Sequence, residues 1–85
     1  MIIRSQDKKQ ITNFKQITDI SIIANNGKFD IQIFYPFSVD DGYAQMRLAT
    51  YSTEEKAIKV LDMIQAAYLR CNHDKGFEMP QNSEV

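Results

Sequence analysis

Cys71 is the only cysteine, so no intrachain disulfide can form and a stapled secreted scaffold is excluded. Tryptophan is absent and histidine occurs once, at His73. Glycine is scarce too: Gly27, Gly42 and Gly76 stand far apart, and no glycine-rich loop exists to cradle a phosphate. Neither charge sign dominates. Ten Lys and Arg against eleven Asp and Glu leave a net charge of -1, too small to draw the chain to phosphate backbones or to make it an acidic mimic. Long apolar runs are missing as well, since no segment approaches the roughly twenty residues needed to cross a bilayer. The start, Met1-Ile2-Ile3-Arg4-Ser5-Gln6-Asp7, turns polar after three residues and has no signal-peptide core. Together these absences point to a cytoplasmic protein with no membrane association.

What is present reads as one domain over residues 1–76, followed by a polar, flexible tail over 77–85 that contains Pro80. Eighty-five residues exclude two independent cores, and a chain this short gains by burying nearly all its large apolar side chains. The sharpest local signal is Asn25-Asn26-Gly27-Lys28 between two alternating runs. A two-residue type I′ loop needs positive φ at both central positions, which Asn and Gly tolerate. With Asn26-Gly27 as the loop, Ala24 faces Phe29, Ile22 faces Ile31 and Ile20 faces Ile33 on one apolar side. Asp19, Ser21 and Ile23 face Phe34, Gln32 and Asp30 on the reverse, the solvated side of an antiparallel sheet.

Pro36 closes the strand that begins at Phe29, and Ser38 to Gly42 form a loop around Asp40-Asp41-Gly42. Tyr43 to Tyr51 alternates loosely, with Ala44, Met46 and Leu48 on one side and Gln45 and Arg47 on the other. Ile2-Ile3-Arg4 and Ile11 to Phe14 are short strands around the polar turn Ser5 to Lys9. Ser52-Thr53-Glu54-Glu55 has the form of a capping box with Ser52 as the cap. Ala57, Leu61, Ile64, Tyr68 and Cys71 then recur at helical spacing, widened by Ile58, Val60 and Ala67, until Gly76 ends the helix. Burying that stripe contributes on the order of 10 kcal/mol gross, without which the helix does not persist. The predicted fold is α+β: an antiparallel meander of four to five strands, open or curled into a partial barrel, packed against one C-terminal amphipathic helix.

Three segments carry a resemblance: Ile3-Arg4-Ser5-Gln6-Asp7-Lys8-Lys9, Asn13-Phe14, and Tyr51-Ser52-Thr53-Glu54-Glu55 with Ala57 and Val60-Leu61. In these the chain resembles a group of small uncharacterised proteins of low-GC Gram-positive bacteria and their phages or mobile elements. The resemblance covers about a third of the chain. It implies bacterial or phage origin and cytoplasmic life, and it carries over no catalytic residue and no ligand. Phe37 to Tyr43 is longer here than the corresponding hairpin of that group.

Candidate chemistry is thin. Cys71, His73 and Asp74 are close in sequence, but a zinc site needs three or four converging ligands, and Cys71 reads equally as the end of the buried stripe. Asp40 and Asp41 beside Gly42 are turn formers before they are an acid–base pair. The expectation is therefore no catalytic residue, no metal and no cofactor. Arg4, Lys8, Lys9 and Lys15, near Phe14, are the best nucleic-acid candidates, set against a solvated basic turn. On the outward side of the hairpin, Ile23 and Phe34 with Phe37, Val39 and Tyr43 could form a protein-protein or self-association surface, or be buried by curling of the sheet. The function expected is a small non-catalytic protein-binding module, an adaptor or inhibitor with a protein partner not yet identified or a second copy as homodimer. The alternative is a nucleic-acid accessory protein using the N-terminal basic cluster.

Overall fold

Asn26 and Gly27 adopt φ of 52° and 81°, the left-handed pair that a type I′ loop demands. The loop joins strands β3, Asp19–Asn25, and β4, Lys28–Pro36, in the register expected, with Ile22 opposite Ile31 and Ile20 opposite Ile33. The structure, a computed structural model, describes residues 1–17, 19–36, 43–70 and 76–85, with the backbone alone at 16 and 43.

Strand β5, Tyr43–Tyr51, pairs antiparallel with β4 and completes a three-stranded meander of order β3-β4-β5. Its alternation is loose because the register shifts: Ala49 lies opposite Ile31 and Arg47 opposite Gln32, leaving Leu48 as a bulge residue. The bulge resets the phase, so Met46, Leu48, Ala49 and Tyr51 all join the core while Arg47 stays exposed.

Helix α1, Glu54–Leu69, crosses the inner face and touches β3, β4 and β5. Its cap is Thr53, whose Oγ1 accepts from the Lys56 amide at 3.2 Å, one residue later than the expected Ser52. Ser52 is held instead by its backbone amide, which donates to Asn82 Oδ1 at 2.9 Å, and with Lys56 at the third helical position the box has no returning carboxylate. Ala57, Val60 and Ile64 are buried and Leu61 and Ala67 partly so, whereas Ile58 lies outside the buried stripe at 44% exposure. Tyr68, also expected in the buried stripe, is 48% exposed and rests on Phe14, ring centroids 5.0 Å apart. Gly76 does not end the helix, which stops at Leu69 with Arg70 as its cap.

The remaining strands form a second sheet of order β2-β1-β6, built from β1, Ile2–Arg4, β2, Ile11–Asn13, and β6, Phe77–Glu78. The class is α+β as expected, but the strands divide between two sheets, and among the described residues no barrel closes. β1 and β2 pair antiparallel around a turn in which Asp7 accepts from the Ser5 hydroxyl and the Lys9 amide. Those bonds hold the Asp7 carboxyl below its ordinary pKa.

β6 pairs parallel with β1, so residues 77–85 are not the free tail that their polarity suggests. Met79 is buried in the common core beside Ile3, its amide donates to the Arg4 carbonyl at 3.0 Å, and the Pro80 carbonyl accepts from the Tyr51 hydroxyl at 2.7 Å. Met79, with Phe77 and Val85 packed partly against the core, anchors a segment whose composition is otherwise polar.

Candidate functional site

The outward face of the meander carries two of the predicted contact residues. Ile23 lies opposite Asp30 and Phe34 opposite Asp19, so four residues of β4 separate their rows, about 13 Å along the strand. Ser21, Gln32 and Arg47 form the polar row between them, and Gln45 donates to Gln32. Within one chain the two apolar side chains therefore do not make one patch. The backbone of Tyr43 pairs with Pro36 at the far end of the sheet. Phe37 and Val39 lie outside the described residues, as do Asp40, Asp41, Cys71, His73 and Asp74. Among the described residues no three His, Cys, Asp or Glu side chains gather as a metal site would require.

That face also holds a feature the sequence reading missed. Asp30 is only 2% exposed, although it points away from the helix. Its carboxylate accepts from Thr50 Oγ1 at 2.8 Å and from Asn25 Nδ2 at 3.2 Å, with the Arg47 guanidinium at 4.0 Å. A buried charge persists only when so supplied. The signal was an acid placed mid-strand between the apolar Phe29 and Ile31.

The basic candidates are divided. Arg4 donates through its guanidinium to the Lys8 carbonyl and pairs with Glu78 at 3.9 Å, while Lys8 and Lys9 sit in the same turn. Lys15 stands beyond the other end of β2, in the 3-10 turn Phe14–Gln16, where it lines a groove of about 510 Å³ with Thr12, Ile17, Ile33, Tyr35 and Met46. No single basic surface results.

The two edges of the meander differ most. At β5 the outer edge is occupied by Gln6: its backbone amide donates to the Leu48 carbonyl at 2.8 Å, its side-chain oxygen accepts from the Thr50 amide at 3.0 Å, and its side-chain nitrogen donates to the Thr50 carbonyl at 3.2 Å. The Gln6 amide thus stands in for a strand peptide. The same nitrogen reaches the Pro80 carbonyl at 3.2 Å, and Gln81 donates back to the Gln6 carbonyl at 2.8 Å, binding the C-terminal segment to the seam.

At β3 the outer edge has no such cover among the described residues. In an antiparallel ladder, backbone groups point alternately toward the partner strand and away from it. Thr50 points outward from β5, so its partner Asp30 bonds toward β3, and the alternation continues from Ile23. Ser21 and Ile23 consequently bond to β4, while Ile20, Ile22 and Ala24 direct their N–H and C=O groups outward. From Ile20 to Ala24 the edge has no charge, no proline and no bulge, the devices that usually blunt an exposed strand. The helix flank above this edge carries Ile58 and Leu61 among the polar Glu54, Asp62 and Gln65. Lys56 Nζ reaches the Asn82 carbonyl on the β5 side, which turns Leu61 and the exposed Ile58 toward the β3 side.

No family model, curated protein or solved structure significantly matches the chain.

Proposed function

We propose that the protein is a small non-catalytic protein-binding module, an adaptor or inhibitor, whose contact element is the open edge of β3. One observation carries the reading: Ile20, Ile22 and Ala24 present a row of outward backbone donors and acceptors on a stretch without charge, while the opposite edge of the same sheet is sealed by Gln6. An extended segment laid along β3 gains main-chain hydrogen bonds, and the alternating side chains select it. Ile23 flanks the edge on the outward face, which keeps one of the sequence-derived contact residues within the proposed surface.

A photo-crosslinking side chain placed at Ser21, on the outward face of β3, tests the proposal in the host cell. Protein adducts should form there and disappear when Ala24→Pro removes an outward N–H without touching the β3–β4 ladder. Adducts confined to probes at Lys8 or Lys9, or composed of nucleic acid, overturn it.

A further inference from the structure

We infer that the strand paired with the β3 edge is β3 of a second copy of this chain, running antiparallel about a two-fold axis at Ile22. The inference rests on the edge reading above and names its occupant. In that register Ile22 meets Ile22 of the second copy, Ile20 meets Ala24, and Ala24 meets Ile20. Each of these pairs consists of residues whose backbone groups point outward, so every free donor finds a free acceptor.

Charge agrees with the register. Asp19 falls opposite Asn25 of the second copy, and the two Asp19 carboxylates stand at opposite ends of the joined strands, so no like charges face each other. On the inner face, the half-buried Ile20 and Ile22 continue into their symmetry mates and extend the apolar floor. On the outward face, Ile23 comes diagonally beside Ile23 of the second copy, about 7–8 Å away. The pairing gathers an apolar patch that a single chain leaves isolated between polar rows.

The helices supply an independent fit. Each α1 touches all three strands of its own meander, and the two β4 strands would lie three strand spacings apart, about 14 Å. A helix with its side chains is about 10–12 Å across, so a gap of only about 2–4 Å separates the two. Ile58 and Leu61 lie on the flank facing that gap, with Glu54, Asp62 and Gln65 beside them. The 44% exposure of Ile58, unexplained in one chain, then has a partner surface.

The test combines solution mass with residue-resolved amide exchange. The wild-type chain should sediment at twice its 9.8 kDa with the Ile20, Ile22 and Ala24 amides protected alongside those of Ser21 and Ile23. Ala24→Pro and Ile58→Glu, each judged folded by its circular dichroism, should both weaken dimerisation roughly tenfold or more. In the Ala24→Pro chain the Ile20 and Ile22 amides should exchange freely while those of Ser21 and Ile23 stay protected. A dimer unaffected by both variants places the contact elsewhere and overturns the inference. A monomer at every concentration that still yields adducts with a different protein at Ser21 overturns the second copy while leaving the binding edge standing. A monomer without such adducts overturns both.

Discussion

The two edges of one three-stranded meander are treated in opposite ways. At β5 a distant glutamine supplies a side-chain amide where a neighbouring peptide would sit, and the C-terminal segment closes over it. At β3 the outward backbone groups of Ile20, Ile22 and Ala24 have no such cover among the described residues. Residues from both ends of the described chain protect one edge, while the other, from Ile20 to Ala24, carries neither lysine nor proline.

The comparison can be broken most severely at the sealed side. Tyr51 is fully buried and its hydroxyl holds Pro80, so Tyr51→Ala should cost about 3–5 kcal/mol in urea unfolding and release the C-terminal segment to proteolysis. Gln6→Ala should cost about 1–3 kcal/mol, because the Thr50 amide and carbonyl and the Pro80 carbonyl lose their partner together. A second sensitive edge should then appear, read as faster exchange at Thr50. Alkali sharpens the same contrast. Burial pushes the Tyr51 phenol above its ordinary pKa of 10.0, so the folded state keeps that proton longer than the unfolded state. Stability from this group is complete below pH 10 and falls as pH rises beyond it, and Tyr51→Phe should flatten that decline in unfolding measured against pH. Smallest of all, Ile23→Ser at the open side should change the stability of the isolated chain by about 0.5 kcal/mol or less, while weakening association.

The open side was far easier to read in the sequence than the sealed one. Asn26-Gly27 is a local instruction whose φ requirement sets the register of the whole hairpin, and the Ala57–Val60–Ile64 stripe is equally local. The cap was misplaced by one residue because Ser52 and Thr53 both carry a hydroxyl, and it is Thr53 that caps while the Ser52 amide donates to the distant Asn82. Leu48 was read in simple alternation, since a bulge leaves no mark beyond a change of phase that Ala49 and Tyr51 make visible afterward. Gln6, Met79 and Pro80 were illegible for the same reason: each acts across the length of the chain, and nothing in their neighbours announces it. Of the expected contact residues, Ile23 and Phe34 fell on one face as the hairpin register dictated, and that same register sets them two rows apart with Ser21 and Gln32 between.

The parallel pairing of β1 with β6 sets an order of events during synthesis. Ile3 leaves the ribosome seventy-four residues before Phe77, its partner in the ladder (77 − 3 = 74). At the usual elongation rate of about 5–20 residues per second this is a wait of about 4–15 s. The hairpin, β5 and α1 are all available in that interval, so the meander can assemble while the first strand still lacks one neighbour. Met79 follows Phe77 and fastens β1 to a body already formed.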